Sequence, residues 1–236
     1  MKRSMQTAAI LAALGAAGAA DGAVLINEVL YNEVSSDTTG EWVEIINIGP
    51  ALADLSGFKF GDEETAGGDT ESGGMWQFPQ GATLAPGQVV TVAVSAARFG
   101  AVYGKAPTYE IAGTDEAVPD MRPYLTWVDP AENFNMSNSN DQAVLLAPDD
   151  SVADAASWGN TFAFDPGLTP TVLDGQSYRR ISPDDTDTAA DWEVSPDTGA
   201  AAGRSSPGEI TAVPEPTGLA VVGLAALAAL RRRRRL

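Results

Sequence analysis

Neither cysteine nor histidine occurs anywhere in this 236-residue chain. Without cysteine there are no disulfides to fasten loops and no thiolate metal sites. Without histidine there is no imidazole base, no Ser-His-Asp triad and no histidine-ligated transition metal. Catalysis would have to rest on carboxylates, hydroxyls, lysine or an oxygen-ligated metal, so the composition favours a non-enzymatic protein. Basic residues are scarce once the chain ends are set aside. From Val24 to Ile210, seven basic residues stand against thirty acidic ones, a net charge of −23. A surface of that sign repels phosphate backbones and argues against nucleic acid as a partner. No stretch of the body sustains a helical repeat over three turns. Gly (24) and Pro (15) are plentiful instead, which suits a loop-rich β protein.

The two ends differ in character from the body. Lys2 and Arg3 precede an Ala-rich apolar stretch, Ala8 to Ala20, and small residues follow up to Ala23. A positive start, a short apolar core and a small-residue cleavage site make residues 1–23 an expected secretory signal peptide, cut between Ala19 and Ala23. At the other end, Thr217–Leu230 is free of charge and is followed by Arg231, Arg232, Arg233, Arg234 and Arg235. As a helix those apolar residues would rise about 21 Å, against a hydrocarbon core of roughly 30 Å. That length suits transient anchoring better than a permanent span, with the arginines stopped on the cytoplasmic side. Pro214, Glu215 and Pro216 keep the preceding segment extended. The order of these three parts over 211–236 resembles the PEP-CTERM sorting signal. The resemblance implies recognition by a membrane-embedded exosortase, removal of the tail, and delivery to the surface of a Gram-negative-type bacterium, with inner-membrane anchoring on the way. A plain C-terminal anchor is the alternative, and in both cases the body is exported.

Residues 24–210 read as one domain. Short runs rich in β-branched and aromatic residues, at 24–31, 41–47, 88–94 and 142–147, have strand length and are cut by Gly, Pro, Asn and Asp. A hairpin is predicted over 145–158, turning at Pro148-Asp149-Asp150. One short helix is predicted within 95–104, inside a long excursion over 95–136 that should carry structure of its own. Spacing of this kind predicts a β-sandwich. "LINEVLYN", "GEWVEIINIG", "ADLSGFKFGDEE", "FPQGATLAPGQVVTVAV", "SNSNDQAVLLAPDDSVADAASWGN", "GQSYRRI" and "DWEVSPDTGAAAGRSSPGEI" occur in that order. Together they resemble the lamin tail domain, which implies an all-β, immunoglobulin-like β-sandwich with long loops over about 25–210. The signal peptide and a short C-terminal hydrophobic helix would flank it.

Candidate functional residues are few. Trp42 and Trp192 lie in strand-like segments and are expected to pack in the core; Trp76, Trp127 and Trp158 lie near loops, where one of them stacking on a sugar is the lesser alternative. Glu28, Glu41 and Glu44 are expected to bind loop backbone or pair with Arg179 or Arg180, rather than act as a catalytic carboxylate pair. Three acidic loops, at 61–71, 148–154 and 182–191, gather oxygen ligands, and Asp184, Asp185 and Asp187 form the candidate calcium loop, although no EF-hand pattern is present. No catalytic residue and no organic cofactor are expected. The expected function is a non-enzymatic structural or adhesive module at the cell surface or in the extracellular matrix. The alternative is a carbohydrate- or calcium-binding module acting on exopolysaccharide, with other surface proteins as further partners. A metal-dependent hydrolase is a distant third, since lamin tail domains accompany hydrolases in some bacterial proteins.

Overall fold

The computed structural model describes residues 23–35, 38–66, 73–127, 134–160, 162–170, 172–182, 184–198 and 204–208. Nearly all of the signal-peptide and sorting-segment expectations, including Pro214–Pro216 and Arg231–Arg235, lie outside the described residues. In chain order the elements are β1 (Val24–Leu30), β2 (Trp42–Asn47), β3 (Ala53–Asp54), β4 (Lys59–Gly61), β5 (Met75–Gln77), β6 (Thr83–Leu84) and β7 (Val89–Ala93). There follow α1 (Ala96–Tyr103), β8 (Tyr109–Glu110), β9 (Arg122–Pro123), β10 (Asp141–Leu146), β11 (Val152–Trp158), β12 (Gly167–Leu168), β13 (Tyr178–Arg180) and β14 (Trp192–Val194).

The strands form two six-stranded sheets, ordered β14-β13-β1-β2-β7-β8 and β12-β11-β10-β4-β5-β9, with β3 and β6 pairing separately. Their facing sides share one core. Ile26, Val29, Val43, Ile45, Val90 and Val92 enter it from the first sheet, and Phe60, Trp76, Ala143, Leu145 and Trp158 from the second. The result is the expected immunoglobulin-like β-sandwich. Its outer faces are partly covered as well: Val144 and Leu146 of β10 pack outside the sandwich with Met75 and Trp127. Burial on both faces explains why β10 reads as a continuous apolar run rather than an alternating one.

Local chemistry fixes the connections. The β10–β11 hairpin turns at the expected place, with Asp150 at φ +67° and its N–H donating to the Ala147 carbonyl. Lys59 closes the turn, donating to the carbonyls of Ala147 and Pro148 and to Asp150. Helix α1 starts at Ser95, whose hydroxyl accepts from the Arg98 N–H, and stops at Gly104 in the left-handed region, where a Cβ would be disfavoured. The long excursion after α1 adds an edge strand to each sheet: β8 runs parallel to β7 and β9 antiparallel to β5.

Trp42 packs in a core as expected, although in the cluster beneath α1 rather than between the sheets. Val43 and Ile45 take the inward positions of β2, so alternation turns Trp42 outward. The indole is fully buried there, under α1, with Leu30, Ala93 and Phe99. Its Nε1 donates to the Tyr103 hydroxyl at 3.0 Å, and both Phe99 and Tyr103 meet the ring edge-on. Trp42→Ala is expected to remove about 3–5 kcal/mol of stability in urea denaturation. A loss below about 1 kcal/mol would mean that α1 does not depend on the ring.

Candidate functional site

Among the described residues, buried carboxylates form the most prominent clusters of polar side chains and are the candidate sites. The first group forms a row across the outer face of the β14–β8 sheet. Strand register aligns Glu193 with Arg179, Arg179 with Glu28, Glu28 with Glu44, and Glu44 with Thr91. A bulge makes this row: the pairing shifts between Ile26 and Glu28, so Ile26 faces the core while Glu28 faces outward. Glu28 and Glu44 are fully buried. Glu28 accepts from the Ser177 hydroxyl, the Ser206 N–H and the Ser206 hydroxyl. Glu44 accepts from Asn27 Nδ2, the Thr91 hydroxyl and the Gly208 N–H. Burial raises both carboxyls. Glu44 is pushed up to about 8, with the charge of Glu28 adding to the burial.

The second group surrounds a cavity of about 300 Å³ at one end of the sandwich, lined by Asp62, Glu63, Glu64, Asn135, Asp141 and Gln142 among others. Asp62 accepts from the N–H groups of Gly74 and Asn135, and burial raises it to about 8 despite those bonds. Asp141 accepts from the Ser137 N–H. Glu41, the third acid of the opening motif, accepts from the Met136 N–H and is pushed up to about 9, by burial first and then by Asp62, Glu33 and Asp141. Gly40 leaves room beside it for the Glu33 carboxylate, since a Cβ there would fall 1.6 Å from Glu33 Oε2 and displace that side chain. Carboxylates, amides and hydroxyls of this kind can bind the hydroxyls of a glycan.

Arg180 forms the third group, fully buried between the two sheets. Its guanidinium is buried, with Nε donating to the Ile26 carbonyl and NH2 to both oxygens of Asp154 at 3.0 and 2.9 Å. Asp154 also accepts the Ile26 N–H, so one ion pair ties β13 and β1 of one sheet to β11 of the other. The guanidinium lies over the Trp192 ring, its Cζ 4.7 Å from the ring centroid. Arg179 points outward and pairs with Glu193.

Of the candidate calcium ligands, Asp185 pairs with Arg180 at 3.0 Å and accepts the Asp187 N–H, whereas the Asp184 N–H donates to the Ser182 hydroxyl. Among the described residues no group of three or more acidic side chains is placed to hold a metal ion. The loop tryptophans Trp76, Trp127 and Trp158 are all buried, so none offers a free face to a sugar. Trp192 joins the inner core as expected.

Sequence reasoning missed Asn27, Glu110 and Ser206; it placed Asp62 and Asp154 in acidic loops, whereas both are buried. Glu110 alone accepts four loop donors, the N–H groups of Ala96, Thr114 and Asp115 and the Thr114 hydroxyl. The signal was present but indirect. An acid inside a strand-like run, in a chain without disulfides, has to find backbone donors to be buried at all.

No curated protein matches the chain. Among solved structures it is similar to the crystal structure of a DUF4876 family protein from Bacteroides thetaiotaomicron, at 13% identity and a TM-score of 0.54, covering 73% of this chain and 70% of that one. That likeness is one of fold. The family model of the Lamin Tail Domain matches residues 17–160, which span β1 to β11 and the hairpin whose Asp154 receives Arg180. The chain belongs to the lamin tail domain family.

Proposed function

We propose that this protein is exported and serves at the cell surface or in the extracellular matrix as a non-enzymatic structural or adhesive binding module, sorted there by an exosortase-type system. The order of its segments carries the reading. A basic, apolar and small-residue start leads into one sandwich, and the closing segment of that sandwich precedes Pro214-Glu215-Pro216, the uncharged Thr217–Leu230 and five arginines. The missing histidine and cysteine support the non-enzymatic part, and the body charge of −23 suits a soluble extracellular surface. Fractionation of the native host tests the reading. The protein is expected in the surface or medium fraction, and in a strain without its exosortase it is expected to stay in the inner membrane. Cytosolic protein in both strains would overturn it.

A second reading rests on the acid-lined cavity: a carbohydrate-binding module acting on exopolysaccharide. Its polar lining of carboxylates and side-chain amides favours glycan hydroxyls. The placement of the acids favours them over calcium. Binding on a glycan array that is lost in Asp141→Ala supports this reading, and an array without binding removes it.

A further inference from the structure

Between Arg204 and Gly208 the chain lies over the Glu28–Glu44 pair and supplies half of the hydrogen bonds that the pair receives. The Ser206 N–H and hydroxyl donate to Glu28 and the Gly208 N–H to Glu44, while Ser177, Thr91 and Asn27 supply the remainder from the sheet. Further contacts hold the same segment. Ser205 meets the Tyr103 hydroxyl, Lys105 donates to the Pro207 carbonyl, and Arg204 pairs with Asp197.

The charge balance beneath the segment is unfavourable. Two carboxylates stand directly opposite one another on adjacent strands, where like charges repel. From β13 the facing charge is Arg179, already committed to Glu193 of β14 through Nε and NH2. β7 offers the neutral Thr91, and α1 the neutral Tyr103. Lys105 and Arg204 reach a carbonyl and another acid instead. One further atom is informative. Asn27 Oδ1 is fully buried and accepts no hydrogen bond, although its own Nδ2 lies 3.3 Å from Glu44 Oε2. Turning that amide over exchanges Oδ1 and Nδ2. A proton on Glu44 Oε2 would then donate to Oδ1, and Glu44 Oε1 would keep Thr91 and Gly208.

We propose that residues 204–208 form a latch, which the Glu28–Glu44 pair holds shut while it carries a proton and releases when both carboxyls are ionised. Shut, the pair bears one charge beside the partly shared Arg179. Fully ionised, it bears two in a fully buried site, and opening the segment hydrates both. The sign follows from the burial that raises Glu44 to about 8. The shut state binds the proton more tightly than the open one, so low pH favours closure and closure is lost as pH rises through that value. Opening leaves the ladders of β1, β2 and β7 in place.

Amide hydrogen exchange on the full chain tests the latch. Ser206 and Gly208 are followed at about pH 6.5 and about pH 9, with rates corrected for base catalysis and Leu145 in β10 as the internal reference. Protection at Ser206 and Gly208 is expected to fall about tenfold or more while Leu145 changes less than about twofold, since one pH unit of ionisation is a factor of ten. Glu44→Gln places a permanent donor beside Asn27 Oδ1 and is expected to abolish the fall. Unchanged protection in the wild type overturns the latch, as does a fall in step with Leu145. A Glu44→Gln protein with the wild-type slope also overturns it. The wild-type series alone decides the matter should that variant fail to fold.

Discussion

Arg180→Ala is expected to remove about 3–5 kcal/mol of stability, the cost of leaving a buried charge without its partner. For a domain of this size that lowers the melting midpoint by roughly 6–20 °C. The reasoning starts from position. Alternation along β13 sends Tyr178 and Arg180 inward and Arg179 outward. An inward arginine is tolerable because Asp154, Asp185 and the Ile26 carbonyl together meet its three nitrogens. Removing it leaves Asp154 with the Ile26 N–H as its remaining donor among the described residues, and withdraws the platform that covers Trp192. Arg179→Ala breaks an exposed pair of the same kind and is expected to cost less than about 1 kcal/mol. Equal losses for the two variants would mean that the inter-sheet pair holds nothing.

Stability is also expected to fall as pH rises from about 5.5 to about 8, by at least one proton's worth, about 1.4 kcal/mol per pH unit. Ordinary carboxylates have already ionised below this window and contribute little slope across it. Here Glu41, Glu44 and Asp62 have folded-state values of about 9, 8 and 8, each raised first by burial. A raised carboxyl holds its proton in the folded chain at a pH where the unfolded chain has released it. Its contribution is therefore complete below the ordinary carboxylate range and is lost as pH climbs through the folded value. Glu110 and Asp191 are shifted downward, which sets an acid limit below the ordinary range. Repulsion across a body of charge −23 acts in the same alkaline direction. Glu41→Gln separates the two causes: it keeps an acceptor for the Met136 N–H and is expected to raise the midpoint at pH 8 but not at pH 5. Thermal melts across this range decide it, and a flat profile would contradict the burial of these acids.

Both effects arise from what stands in for disulfides in this chain. Loops are fastened by carboxylates that reach backbone N–H groups: Glu41 to Met136, Asp62 to Asn135, Glu110 to Ala96 and Glu28 to Ser206. The main strands, the hairpin at Pro148–Asp150 and the short helix were legible in the sequence, because each has a local cause in β-branched runs, turn residues or capping. The pairing of Arg179 and Arg180 with acids was legible in kind. The direction in which Trp42 points was not, since period-two alternation defines two faces without saying which one meets the other sheet. The outward turn of Glu28 was likewise hidden, because it depends on a bulge that a one-residue register shift creates. Asp154 and Arg180 are 26 residues apart, and Glu28 and Ser206 178 apart, so only the folded topology joins them.

Mass spectrometry of the protein recovered from its native host, reading both mature ends, tests most directly whether a sandwich is delivered outdoors by two removable labels. The expected product begins between Ala20 and Val24 and has lost Arg231–Arg235. A mature chain that still runs from Met1 to Leu236 would contradict export and sorting together.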